Sequence, residues 1–528
     1  MPVSTTVSDR QTVLSDGDLA KAPDPKEWRR QLIGLIGGVL LAAIVYVIFP
    51  EGAPETVAQS AGATEGTEYS AQAMRVVAAT TVLMAVWWMT EALPLAATAL
   101  LPIAIFPLAA VAPFSAVASP YASSTIFLFL GGFLMALGLQ RWNLHRRLAL
   151  AVVSVVGTSP KRIVLGFMIA TGFMSMWVSN TATAVVMLPI GVSVLALTAD
   201  SVGGMANQKN FATALMLATA YSASIGSLGT LIGTPPNALL AGYMKEAHGV
   251  TIGFGQWMLV GMPVAIVFTV LAWLVLITVF APEIDEIPGG RALIREEMDK
   301  LGKWNFAQVA VGVIFLLAAL AWIAIPLARD YFGWDFPYDD AVVGIIAGLL
   351  MFAVPVEKSG KRIIDWKTAS EVPWDVLILF GGGLSLSAMF TATGLSLWIG
   401  EAAKNLSALP VFLLILAVSA LVLGLTELTS NTATAATFLP IMGGVAVGIG
   451  LTQGGDINVL LLAIPVALSA TCAFMLPVAT PPNAIAYSSG YVTMGQMLKG
   501  GIWLNLIVLV LISLATYFIA VPVFGLTV

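Results

Sequence analysis

Long stretches without a charged residue govern what this chain can fold into. Roughly 20 helical residues cross a hydrocarbon layer about 30 Å thick, and uncharged apolar stretches of that order recur along almost the whole sequence. They predict crossing helices near 31–49, 74–91, 93–110, 118–140, 211–244, 253–281, 305–326, 339–356, 373–397, 458–490 and 500–526, eleven in all. The fold class implied is an all-α integral membrane protein. Composition agrees, with 58% of the 528 residues hydrophobic and 10% charged, against roughly 25% charged in an ordinary soluble domain. The lipid bilayer is the expected surrounding. A net charge of −5 argues against nucleic acid as a partner.

Two further stretches, 163–199 and 405–455, are too long for one crossing, and each carries a polar Ser-Asn-Thr cluster near its centre. Folding back at that cluster makes a re-entrant hairpin. The backbone at each tip must then be buried in protein or line a wet cavity.

Lysine and arginine accumulate in loops that stay cytoplasmic, which tests this layout independently. Residues 1–29 are polar, lack the apolar core of a signal peptide, and read as a disordered cytosolic tail. With that tail inside, twenty of the 24 basic residues fall on the cytoplasmic side, including Arg30, Arg141, Arg146, Arg147, Lys300 and Lys361. Only Arg75, Lys245, Arg329 and Lys404 remain outside, and the C-terminus is external. Counting either hairpin as a crossing would reverse every later loop.

The chain also contains a duplication. Ser179-Asn180-Thr181-Ala182-Thr183-Ala184 recurs letter for letter at 430–435, Thr234-Pro235-Pro236-Asn237 recurs at 480–483, and Gly131-Gly132 recurs at 381–382. The expected organisation follows: a first helix and external loop (30–73), a first repeat (74–281) with hairpin 163–199 and broken helix 211–244, and a cytosolic loop (282–304). A second repeat (305–528) has hairpin 405–455 and broken helix 458–490. Five crossings and one hairpin per half make the second repeat start on the opposite side, so the repeats are inverted. That is a design of secondary transporters, in which substrate sits where the interrupted elements converge.

Each motif has a physical reading. Pro-Pro removes two amide donors and disfavours helix in the residue before, so 234–237 and 480–483 are expected to be unwound, with the carbonyls of Gly233 and Ala479 facing a cavity. Helices restarting after Ser-Asn-Thr aim their N-terminal amides at the tip, which attracts carboxylates without lysine or arginine. Ser175 precedes Ser179 by four residues and Thr426 precedes Ser430 by four, so each pair is expected to share a helix face. With an Asn oxygen and the freed carbonyls these hydroxyls would suit a hard cation, although spacing alone leaves open the ordinary alternative that they bond back to a helix carbonyl. Glu427, beside the second tip, is the sole charge in either hairpin, and its first-repeat counterpart is Met176. That asymmetry favours a structural or proton-related role over sodium ligation.

In this order and spacing the paired motifs resemble the divalent anion/sodium symporter family of di- and tricarboxylate transporters, over about residues 30–528. The resemblance implies sodium symport of small dicarboxylates of the succinate, malate and fumarate class, with Na+ as coupling ion and no organic cofactor. It also implies a homodimer in which a domain of hairpins and broken helices slides as an elevator. Carried onto matching positions, one sodium site would be Ser175, Ser179, Asn180 and the Gly233 carbonyl. The other would be Thr426, Thr429, Asn431 and the Ala479 carbonyl. Substrate carboxylates would meet Asn180 and Thr181 at one tip and Ser430, Asn431 and Thr432 at the other, with Pro481 alongside.

Other readings fit less well. His145 and His248 are expected in loops on opposite faces, no nucleophile or metal constellation appears, and Cys472 reads as a buried core residue, so the chain is not expected to be an enzyme. Two pseudo-symmetric anion-binding tips closing on one site favour alternating access over a channel. A sodium-independent dicarboxylate exchanger is the runner-up, followed by citrate or sulfate transport. Two separate tips suit two separated carboxylates better than one tetrahedral ion.

Overall fold

Residues 25–60, 68–156, 159–202, 204–284, 290–333 and 338–528 are described by the structure, a computed structural model. Among them the chain is helical, with no strand beyond an isolated antiparallel bridge between Pro355 and Arg362. Eight described helices are long and apolar enough to cross a membrane: Trp28–Ile48, Ala71–Thr90, Phe114–Arg141, Asn180–Ala199, Phe254–Val279, Phe306–Arg329, Trp374–Thr393 and Met494–Phe524. Other expected crossings are built from shorter pieces. The 93–110 stretch is divided into Leu95–Thr98 and Leu101–Leu108, and Asp340–Ala353 has only 14 residues. The expected tail at 1–29 is corrected at its end, because Pro25–Ile48 is one helix with proline at its first position, where a missing amide costs nothing. The rest of that tail lies outside the described residues. His145 and His248 are also helical rather than in loops, within Leu144–Val156 and at the end of Pro235–His248.

Burial is graded from edge to centre. Trp28–Ile48 and Phe306–Phe332 carry long rows of exposed Ile, Leu, Val and Phe. By contrast, every residue of Leu460–Thr471, and every residue from Phe211 to Ser227 within Lys209–Ser227, is buried. Helices apolar all round belong inside, and these two are the inner halves of the two broken helices. Against the first pack the hairpin arms Pro160–Ser175 and Asn180–Val202; against the second pack Val411–Thr426 and Asn431–Gly448. Close approach requires glycine at one crossing in particular. A side chain at Gly226 would drive into the backbone of Gly172 on the facing arm.

Both broken helices are interrupted, though not where the prolines stand. The unwound residues are 228–234 and 472–480, and the outer halves Pro235–His248 and Pro481–Ser488 begin on the prolines themselves. The expectation of unwound 234–237 and 480–483 is therefore corrected. Proline is pre-organised for a helix's first turn, where its absent N–H has no partner to lose, so Pro-Pro starts the second helix and forbids only its backward extension.

Polar side chains hold the unwound backbone. In the first half Asn237 Nδ2 donates to the carbonyls of Thr230 (2.9 Å), Ser227 (3.4 Å) and Leu228 (3.4 Å), and Thr230 Oγ1 donates to the Met176 carbonyl at 2.5 Å. In the second half Asn483 Nδ2 donates to the carbonyls of Ala473 (3.0 Å) and Leu476 (3.1 Å). Glu427 is buried and accepts from the amides of Phe474 (2.7 Å) and Met475 (3.1 Å) and from Asn505 Nδ2 (2.7 Å). It ties a hairpin tip, an unwound segment and the last long helix together.

Helix ends meet in two sets. Arg30 pairs with Glu91, Arg141 with Asp365 and Arg146 with Glu297. At the opposite ends of the two helices that carry Arg30 and Glu91, Tyr46 meets Gln72; Lys245 meets Asp339 and also Ser124, at the start of the helix that ends on Arg141; Asn458 meets Thr527. The Asp365 carboxyl lies in a loop and is held well below the usual carboxylate range, chiefly by the Arg141 guanidinium.

These contacts generate two expectations. Removing the Glu427 carboxylate strands three donors, two of them backbone amides, at about 1–3 kcal/mol each where buried, so Glu427→Ala should lower the thermal unfolding temperature in detergent far more than Glu427→Gln. Equal and small shifts for both would refute its bracing role. Gly226→Leu overpacks the crossing with Gly172, typically about 1–3 kcal/mol, and should destabilise more than the same substitution at Gly37, which faces open space.

Candidate functional site

The two hairpin tips and the two unwound segments converge on one cavity of about 830 Å³. Ser179, Asn180 and Thr181 enter it from one tip and Ser430, Asn431 and Thr432 from the other, while Gly233 and Ala479 line it from the unwound segments and Pro481 from the first position of the helix that follows. All six residues expected to meet substrate carboxylates are therefore at its wall. Six of the eight expected sodium ligands are there too, namely Ser179, Asn180, Gly233, Thr429, Asn431 and Ala479. Ser175 and Thr426 lie behind the wall, fully buried.

Each tip is a stop and a restart. One arm ends at Ser175 and the next helix begins at Asn180; in the second half the corresponding residues are Thr426 and Asn431. Ser179 and Ser430 thus stand beyond the end of the preceding helix, and the expectation that each shares a helix face with the hydroxyl four residues earlier is corrected. Ser179 Oγ instead accepts from the Ala182 amide at 3.2 Å. The opening amides of both restarting helices have no carbonyl one turn earlier to receive them, and they bring the positive end of the helix dipole to the tip.

Behind the wall the two halves repeat one arrangement. Ser175 Oγ donates to Asn180 Oδ1 at 2.6 Å, and Thr426 Oγ1 donates to Asn431 Oδ1 at 2.7 Å. Asn180 Nδ2 reaches Ser227 Oγ at 3.4 Å, and Asn431 Nδ2 reaches the Thr471 carbonyl at 3.5 Å. The buried hydroxyl therefore orients the asparagine that faces the cavity. The halves differ at Thr429, whose Oγ1 bonds back to the Leu425 carbonyl at 2.9 Å and shares a proton with Thr434 at 2.6 Å. Every polar group in these two sets is a neutral oxygen or an amide, a donor set suited to a hard monovalent cation.

Charge enters the cavity at one end only. Phe129 and Gln140 both line it and are eleven positions apart in Ser124–Arg141, so it runs for about 16 Å along that helix at 1.5 Å per residue. Arg30, Glu91 and Glu371 line the Gln140 end. Arg141 bonds to Thr368 just before Glu371, and Gly394 at the far end of Trp374–Thr393 lies against Tyr69 at the start of Ala71–Thr90, which brings Glu91 and its partner Arg30 to the Glu371 end. That end belongs with the Arg30–Glu91 and Arg141–Asp365 set of helix termini.

Sequence reasoning passed over Asn237 and Asn483. Both are fully buried and pin equivalent carbonyls of the two unwound segments, and both leave Oδ1 without a protein partner. The signal was present, since each closes a tetrapeptide that recurs letter for letter. Glu427 was noticed as an intramembrane charge, and its structural role is visible only in its bonds to residues about 47 positions away.

Comparison with known proteins agrees with this geometry. The model of the sodium:sulfate symporter transmembrane region matches residues 63–525. A protein of Staphylococcus saprophyticus named sodium-dependent dicarboxylate transporter SdcS is 40% identical over 504 residues, covering 94% of this chain and 93% of its own. A Staphylococcus aureus protein of the same name is 42% identical over 502 residues, covering 94% and 92%. The crystal structure of the Alcanivorax borkumensis YdaH transporter, described as having an unusual topology, shares the fold. It superposes with a TM-score of 0.51 at 15% identity, covering 84% of this chain and 98% of the other. With the paired motifs gathered at one cavity and the family model spanning most of its length, this chain belongs to the sodium:sulfate symporter family of multi-pass membrane transporters.

Proposed function

We propose that the protein imports small dicarboxylates of the succinate, malate and fumarate class across a bacterial cell membrane by sodium symport. One observation carries the substrate reading: two separate helix-start tips, without lysine or arginine, meet across a single cavity. Each tip receives one carboxylate on its amides and its Asn and Thr side chains. Two tips fit a molecule with two separated anionic ends better than compact sulfate, and the similar staphylococcal proteins are named for sodium-dependent dicarboxylate transport.

Sodium supplies the positive charge that the tips lack. Ser175, Ser179, Asn180 and the Gly233 carbonyl would hold one ion, and Thr426, Thr429, Asn431 and the Ala479 carbonyl the other. The hydroxyl-to-asparagine pairs behind the wall support this, because a cation drawing on Asn Oδ1 would also set the side chain that presents Nδ2 to substrate. In the second site Thr429 Oγ1 donates its proton to the Leu425 carbonyl and keeps lone pairs for the ion.

The topology that fits this chemistry has eleven crossings and two re-entrant hairpins in inverted repeats, with the N-terminus cytoplasmic and the C-terminus external. The two sets of helix-end contacts support it, since Arg30, Arg141 and Arg146 fall together on one face. On that reading the cavity opens inward. Asn180–Ala199 is long enough to cross alone, but treating it as a crossing would put Asp365 and Glu297 on the opposite face from their partners Arg141 and Arg146. A homodimer, with hairpins and broken helices sliding as one body, completes the proposal.

Uptake of a panel of labelled anions into proteoliposomes, with and without a sodium gradient, tests it. Losing one donor to a buried carboxylate costs about 1.5–3 kcal/mol, so Asn180→Ala and Asn431→Ala should each weaken dicarboxylate binding at least about tenfold. Ser175→Ala and Thr426→Ala should raise the sodium concentration for half-maximal rate. Two sodium ions per dianion make the cycle electrically neutral, whereas three move one net positive charge, worth about 2.3 kcal/mol per 100 mV; a rise of uptake with inside-negative potential therefore reads out a third ion. Full transport in choline medium, driven only by internal dicarboxylate, would replace symport with exchange.

A further inference from the structure

Of the residues lining the cavity, Arg30 is the one with a cationic side chain, and it stands at the end away from the hairpin tips. Its Nη2 lies 2.8 Å from Glu91 Oε2, and both side chains are about half exposed, at 53% and 54%. Neither is held there loosely. Glu91 caps Ala71–Thr90 in the left-handed conformation, with φ 51 and ψ 39, and its amide is bonded to the Trp87 carbonyl. Glycine or asparagine is the usual choice for such a cap, and a side chain with a Cβ is strained there. The result of that strain is a carboxylate turned off the helix end toward Arg30. The two helices are locked beside the pair, because Gly34 fits directly against the Thr90 side chain and Trp87 Nε1 donates to the Leu35 carbonyl at 3.2 Å.

Among the described residues, a dianion moving between the tips and that end meets no other cationic side chain on the cavity wall. We propose that Arg30 and Glu91 form a carboxylate relay at the cavity mouth, in which a departing dicarboxylate displaces Glu91 from the Arg30 guanidinium and Glu91 then reclaims it. Arg30 draws the anion out of the cavity, and Glu91 prevents it from being retained. Glu371, at the same end, repels an anion that lingers. Arg30 contacts the passing substrate itself, Glu91 is a positioning residue that acts through it, and neither reaches the tips. Exposed ion pairs are weak and screened by salt, which makes the exchange fast and gives it a signature. The relay rests on reading the cavity as an inward-opening path for dicarboxylates.

The test uses the full chain, sidedly oriented in proteoliposomes, with labelled succinate offered from either face. Arg30→Gln should raise KM at the cytoplasmic face by about threefold to tenfold at low ionic strength, and choline chloride should abolish the difference, as expected for electrostatic steering. Arg30→Lys should restore most of the affinity. Glu91→Gln should do the opposite, lowering KM at that face while reducing the maximal rate of influx through slowed release. External KM should move less than twofold in all three. No salt-dependent change in KM for Arg30→Gln, or equal changes at both faces, would overturn the relay; if Arg30→Gln fails to insert, an unchanged KM and rate in Glu91→Gln would do so. An effect confined to the external face would retain the relay and overturn the inward-opening reading. A wild type that carries sulfate but no dicarboxylate would overturn the substrate reading, and the same variants assayed with sulfate would then decide the relay.

Discussion

Backbone polar groups inside a hydrocarbon layer must find partners within the protein, and this molecule interrupts its helices in four places at its centre. Two interruptions are hairpin tips and two are unwound segments. Each frees amides and carbonyls that regular helix would have consumed, and each is braced by a buried side chain. Asn237 and Asn483 collect carbonyls; Glu427 collects amides; Thr230 reaches across to the first tip. The groups left over face one cavity. Binding capacity here comes from backbone that the fold declines to satisfy internally.

The duplication is faithful in the buried polar bonds that orient the tips and pin the unwound carbonyls, and diverges in the tie between tip and unwound segment. Buried hydroxyl to asparagine oxygen recurs at 2.6 and 2.7 Å, and the proline-started helices carry the same Asn bonds. The tie between tip and unwound segment does not recur. In the first half a neutral threonine donates to a tip carbonyl, whereas in the second a buried carboxylate gathers two amides and Asn505. A charge-assisted bond is roughly twice as strong as a neutral one, so the second tip is the more firmly held.

On the proposed function, neutral donors suit a centre that must both fill and empty. A buried arginine at the tips would bind a dianion strongly and leave an uncompensated charge when the site emptied. Helix-start amides and hydroxyls, neutralised by ions that arrive and leave with the substrate, avoid that cost. The permanent charges stand at the mouth, half exposed and paired with each other, where water screens them.

By itself the sequence determined the class, the duplication and the residues at the site. Uncharged apolar runs leave few alternatives to membrane helices, and letter-for-letter repeats single out Asn180, Thr181, Asn431 and Thr432, to which family resemblance adds Ser430 and Pro481; the structure brings all six to the cavity wall. Local details misled where two physical effects compete. Pro-Pro was read as an interruption, yet at Pro235 and Pro481 it opens a helix, because whether proline ends or begins one depends on which side is already helical. The role of Glu427 was hidden for a different reason. Its partners at Phe474, Met475 and Asn505 lie far along the chain, and no local periodicity encodes a contact between a hairpin tip, an unwound segment and a distant helix. Likewise Arg30 reads from sequence as one more basic residue beside a first helix. Only the packing of that helix against Ala71–Thr90 brings it to Glu91 at the end of the cavity, because long-range contact is decided by how helix faces fit and not by the residues nearby in the chain.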